Sequence, residues 1–148
     1  MQPALVTENP FYDSFRGRFS SLLSWEQLDA FWDTVYARAN AGWYLYAVGE
    51  SVPSTAATAE QVKRFISEID ALLRREHQED YCGIVYADNV SEPAFIKIFD
   101  PHNLGVQCGY SDNPPLPGWV MSRLPPSDLR DQRPLPGNRQ RWWQRLWA

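Results

Sequence analysis

Two capping boxes followed by a change of period do most to limit what this chain can fold into. Ser24 with Gln27, and Thr58 with Gln61, each place a hydroxyl three residues before a Gln. In that pattern the two side chains satisfy backbone N–H groups that a helix start leaves without partners. Behind the first box, Leu28, Phe31, Trp32, Val35, Tyr36 and Ala39 recur on one helical face, with Asp29, Asp33 and Arg38 between them on the wet side. Leu23 and Leu28 stand at the staple positions, and Asn40-Ala41-Gly42 supplies a stop. Behind the second box, Val62, Phe65, Ile66, Ile69, Leu72 and Leu73 predict a second helix running to about His77. Arg74, Arg75 and His77 suit the negative end of its dipole.

After Glu79-Asp80 the apolar period drops to two. Residues 81–87 and 94–99 read as strands joined by the turn-rich stretch 88–93, and 43–48 reads as an earlier strand closed by Gly49. Residues 104–108 predict a short further piece of the meander, and 119–124 a last edge strand. The expected fold is therefore α+β: two amphipathic helices on a small, mainly antiparallel sheet of three to four strands, in the order α-β-α-β-β-(β). One crossover, between the strands at Trp43 and Tyr81, leaves that pair open to being parallel.

The flanks are less regular. Residues 1–23 read as an irregular lead-in, where Asn9-Pro10 marks a turn and Arg16-Gly17-Arg18 interrupts a stripe of Phe11, Tyr12, Phe15 and Phe19. From Asp112 proline accumulates, and Pro-Leu-Pro-Gly occurs at both 115–118 and 134–137. Beyond Pro125 this composition predicts an extended, polyproline-like arm, so the chain divides into a domain at 1–124 and a Pro-, Arg- and Trp-rich arm at 125–148.

A chain of 148 residues with 44% apolar content is long enough to bury a core without a disulfide or metal. The N-terminus lacks the pattern of a signal peptide, and no apolar run reaches the ~20 residues of a membrane-spanning helix. With two cysteines in no CxxC pattern, a cytoplasmic location with free thiols is the expectation. The formal charge of −4 hides an asymmetry. Residues 1–122 carry 8 Lys and Arg against 16 Asp and Glu, whereas 123–148 carry 6 Arg against 2 Asp. An acidic body of this kind is a poor binder of double-stranded nucleic acid, while the tail is suited to something anionic, the body itself included.

No nucleotide-binding, zinc or calcium signature is present, so no cofactor or metal is expected. The loop after the hairpin gathers Asp100, His102, Asn103 and Cys108 between glycines. One reading makes Cys108 a nucleophile with His102 as its base and Asp100 or Asn103 orienting the imidazole, as in a small hydrolase or transferase. Another makes Lys97, Asp100, His102 and Asn103 a pocket for a small anion. The plainer reading has Asp100 and Asn103 bonding turn backbone and Cys108 filling core. The acidic groups on the second helix intersperse with Lys63, Arg64, Arg74 and Arg75, as on a solvated face.

The C-terminal stretch Arg139–Ala148 is the least ordinary. As a helix it would put Trp142, Trp143, Leu146 and Trp147 on one face, bordered by Arg141 and Arg145. Those tryptophans fold back over the acidic body, await a partner's groove, or meet an anionic membrane surface or single-stranded nucleic acid. The functional expectation is a non-catalytic accessory or protein-interaction module whose contact residues are Trp119, Arg141, Trp142, Trp143, Arg145 and Trp147, with the Cys/His enzyme and the small-molecule sensor as alternatives. An arm of opposite charge to its body also leaves a homodimer open.

Overall fold

In the computed structural model, residues 9–102, 116–129 and 137–147 are described. Four helices and five strands run in the order α1 (Pro10–Phe15), β1 (Ser20–Ser21), α2 (Trp25–Ala37), β2 (Tyr44–Ala47), α3 (Ala59–Glu76), β3 (Val85–Ala87), β4 (Phe95–Ile98), β5 (Trp119–Ser122) and α4 (Gly137–Leu146). The chain is α+β, with one antiparallel sheet of strand order β1-β3-β4-β5-β2.

Both capping boxes form. The Gln27 N–H donates to Ser24 Oγ at 3.0 Å and Gln27 Oε1 accepts from the Ser24 N–H at 3.2 Å. Thr58 and Gln61 do the same at 3.1 and 2.9 Å, each cap adding about 1 kcal/mol to its helix. The buried faces match the sequence periodicity: Leu28, Phe31, Trp32 and Val35 on α2, and Val62, Phe65, Ile66, Ile69, Leu72 and Leu73 on α3. Tyr36 is exposed, so the buried stripe of α2 is narrower than its periodicity suggests, and Leu23, ahead of the helix, is exposed as well.

The register explains why the sheet is covered on both sides. Leu45, Met121, Ile96 and Ala87 stand in one cross-strand row, and Ala47, Trp119, Ile98 and Val85 in the next. These side chains meet α2, α3 and α4 in the main core. The intervening row, Tyr46, Val120, Lys97 and Tyr86, points the other way. There Tyr46, Val120 and Phe95 pack with Phe11 of α1 and with Phe15, Phe19, Leu116 and Leu129 in a second cluster. Residues 127–129 cross this face: the Tyr46 hydroxyl accepts from the Leu129 N–H at 2.9 Å, and the Tyr12 hydroxyl donates to the Asp128 carbonyl at 2.7 Å.

Several expectations are corrected. The lead-in holds a short helix, capped by Asn9 with Pro10 at its first position, and a two-residue edge strand. β5 lies between β4 and β2 rather than at an edge, pairing with both, and all four of its side chains are buried. A strand covered on both faces reads as a continuous apolar run, as Trp119-Val120-Met121 does. β2 and β3 are not neighbours, so the crossover makes no parallel pair. Residues 137–146 are helical and seat Trp142 and Leu146 in the core, where an extended arm was expected. The further strand expected at 104–108 lies outside the described residues.

Candidate functional site

α3 lies between α2 and α4. On one side, Arg74 bonds Asp70 of its own helix and Asp29 of α2, and the Trp32 indole N–H donates to Asp70 at 3.2 Å. On the other side, Arg139 meets Glu76 near one end of α3, and Arg64 Nη1 donates to the Leu146 carbonyl at 2.9 Å near the other. α4 therefore runs antiparallel to α3.

Arg139 fixes the start of α4. Its guanidinium donates to Asp100 at 2.8 and 3.0 Å and to Glu76 at 2.6 and 3.1 Å. Arg139 is 4% exposed and Asp100 3%, so the pair is out of water and its charge-assisted bonds are short. Burial works against the arginine's charge, but its hydrogen bonds to both carboxylates outweigh it and hold the group protonated well above its usual range. The same contacts hold the Glu76 carboxyl below its ordinary value. An arginine in the first turn of a helix meets the dipole's positive end, and here two carboxylates offset that cost. Asp100 also accepts from the His102 N–H at 2.9 Å, so one carboxylate ties the loop after β4 to the C-terminal helix.

The two Pro-Leu-Pro-Gly repeats each end where a regular element begins. The first ends at Gly118, immediately before β5, and the second at Gly137, the first residue of α4. A Cβ on Gly118 would stand 3.2 Å from the Asp100 Cβ, so glycine permits the close approach of β5 to the carboxylate that binds Arg139.

Beyond Arg139, α4 carries three stripes. Trp142 and Leu146 enter the core, and Trp142 meets Trp119 edge-on with ring centroids 5.5 Å apart. Trp143 and Trp147 stay partly exposed, Trp143 meeting both Phe65 and Trp147 edge-on, and border a 250 Å³ pocket with Leu45, Gln61 and the loop at 51–57. Arg141 and Arg145 are exposed, and among the described residues neither side chain forms a hydrogen bond or ion pair. Arg145 joins Arg64, Glu68 and Arg75 in lining a 460 Å³ cleft between α3 and α4, floored by Trp142 and Leu146. A third concavity, 420 Å³ beside β1 and α2, is lined without any charged side chain.

The structure thus divides the expected contact residues. Arg141, Trp143, Arg145 and Trp147 remain accessible, the arginines on one flank of the core-facing stripe and the tryptophans on the other, while Trp119, at 1% exposure, and Trp142, at 8%, serve the core. Among the described residues, the expected anion-pocket members Lys97 and Asp100 are engaged separately. Lys97 lies on the opposite sheet face, with its ammonium 4.1 and 4.0 Å from the ring centroids of Phe15 and Phe19, and burial pushes its pKa down. Asp100 is already engaged by Arg139, and His102 is exposed. Asn103 and Cys108 lie outside the described residues. Cys82 is buried, with its thiol pushed up chiefly by desolvation, and His77 Nε2 donates to its carbonyl at 2.9 Å rather than to the sulfur. That arrangement leaves no activated thiolate at Cys82. Among the described residues, no three His, Cys, Asp or Glu side chains are grouped to hold a metal, and no helix is long and apolar enough to cross a membrane.

Sequence reasoning missed Arg139, Glu76, Arg64 and Arg75 as one assembly, because no local pattern joins positions so far apart. The unusual run of arginines around the tryptophans was the only signal. No family model matches the chain, and neither does any curated protein or solved structure.

Proposed function

We propose that the chain is a non-catalytic protein-interaction module that binds its partner through the outward side of α4 and the adjoining edge of α3. One observation carries this reading: a buried arginine clamp holds α4 in place while its outer residues, Arg141, Trp143, Arg145 and Trp147, are left accessible beside two open concavities. Aromatic and arginine side chains on a rigid support are the usual anchors of a protein interface, since little ordering entropy remains to be lost on binding. The tail is therefore a helix that the domain presents, not a free peptide.

Affinity capture with the full chain and with Trp143→Ala/Trp147→Ala tests the proposal. The expected outcome is a specific partner band that the double variant loses while its melting point stays within a few degrees of the parent. Retention of the same band by the double variant would remove the tryptophan stripe from the interface.

A further inference from the structure

We infer that the cleft between α3 and α4 is a docking groove for an extended acidic peptide segment of a partner protein, an inference that rests on the interaction reading above and specifies its chemistry. Charge complementarity is the basis. Arg64, Arg75 and Arg145 line the cleft against a single carboxylate, Glu68. None of the three cations is neutralised within it: among the described residues the Arg64 side chain bonds only the uncharged Leu146 carbonyl, and the Arg145 side chain has no hydrogen-bond or ion-pair partner. Arg75 approaches Glu76 at 3.9 Å, but Glu76 is committed to Arg139 by bonds of 2.6 and 3.1 Å. This cationic strip stands on a body whose residues 1–122 are strongly acidic, so the field is local to the groove.

The spacing selects the occupant. Arg64 and Arg75 are eleven residues apart on α3, or about 16 Å along the axis at about 1.5 Å per residue. A lone phosphate or carboxylate cannot meet both ends. An extended peptide covers that span in about five residues at about 3.3 Å each. Glu68 falls between the two ends. A nucleic-acid strand, with a charge about every 3.4 Å of helix axis, would set phosphates against Glu68. A peptide can place an uncharged residue there. The groove therefore fits a segment with carboxylates at both ends and a neutral centre. Trp142 and Leu146 form a floor on which its backbone and aliphatic stems can rest.

Fluorescence anisotropy with the full chain and a fluorescein-labelled peptide Glu-Glu-Ser-Ser-Glu-Glu tests the inference. Saturable binding is expected, weakening at least about tenfold in Arg75→Glu/Arg145→Glu and on raising salt, as for exposed charge pairs. An Arg16→Glu/Arg18→Glu control, of equal charge but outside the groove, is expected to bind as the parent does. Absence of binding, or equal binding by the groove variant, overturns the inference. So does equal competition by an oligothymidylate, which would make the groove a general polyanion site. Self-association abolished by the same charge reversals would put a second copy of the chain there instead. If the peptide test fails while partner capture still depends on Trp143 and Trp147, the interaction reading stands and only the acidic-segment inference falls. If both fail, both are lost.

Discussion

Arg139 and Asp100 form the contact that fixes the start of α4 against the sheet. Their side chains meet at 2.8 and 3.0 Å in a site closed to water, with Glu76 completing the guanidinium's partners. Because Asp100 follows β4 and Glu76 ends α3, one side chain joins the sheet, the middle helix and the last helix.

Removing that arginine leaves Asp100 buried without its cation. Arg139→Ala is expected to destabilise the fold by about 3–5 kcal/mol, the usual cost of breaking a buried ion pair from one side. Urea denaturation followed by tryptophan fluorescence measures it, and a loss below about 1 kcal/mol would mean that α4 is held by its tryptophans alone.

The inner and outer tryptophans of α4 are expected to behave differently. Trp142→Ala, in the core against Trp119, should cost about 3–5 kcal/mol, and Trp147→Ala, partly exposed, less than half as much. Deleting residues 137–148 should likewise lower the melting temperature sharply. Differential scanning calorimetry on the three proteins decides between this and a tail that adds nothing to the body.

Stability should also report the clamp through pH. The Glu76 carboxyl is held below its ordinary value of 4.5 chiefly by its hydrogen bonds from Arg139, helped by the charges of Arg139, Arg75 and His102 and opposed by burial. Its contribution is fully present above the unfolded value and is lost as pH falls through the lower folded one. The parent protein should therefore lose melting temperature more steeply below pH 4.5 than Glu76→Gln does. Parallel curves would show that the carboxylate carries no linkage.

Gly118 is expected to tolerate little. Alanine there places a methyl 3.2 Å from the Asp100 Cβ, so the residue that binds Arg139 must give way by a few tenths of an ångström. A melting point unchanged in Gly118→Ala would show that β5 can move away at no cost.

How much of this was legible in the sequence depended on whether the signal was local. Ser24 with Gln27 and Thr58 with Gln61 announce helices through side chains three residues apart, and both boxes form as read. The hairpin of β3 and β4 was equally local. The strand order was not, because nothing within Trp119-Val120-Met121 says which strands flank it. The tail misled for another reason. Its prolines stop at Pro136, so the residues of α4 are free to be helical, and what decides their packing is the buried meeting of Arg139 with Asp100, residues 39 apart. Of the candidate site, the arginines and tryptophans of α4 were visible, while Arg64 and Arg75 looked like an ordinary solvated face until α4 was laid beside them.

The most direct measurement of the central claim is site-specific photo-crosslinking in the native host. A benzophenone side chain is introduced at Trp147, on the outer side of α4, or at Leu23, which is 61% exposed at the other end of the sheet. Irradiation should yield a discrete protein adduct from position 147 and none from position 23. Adducts from position 23 alone, or from neither, would contradict the claim that α4 is the face this protein offers to its partner.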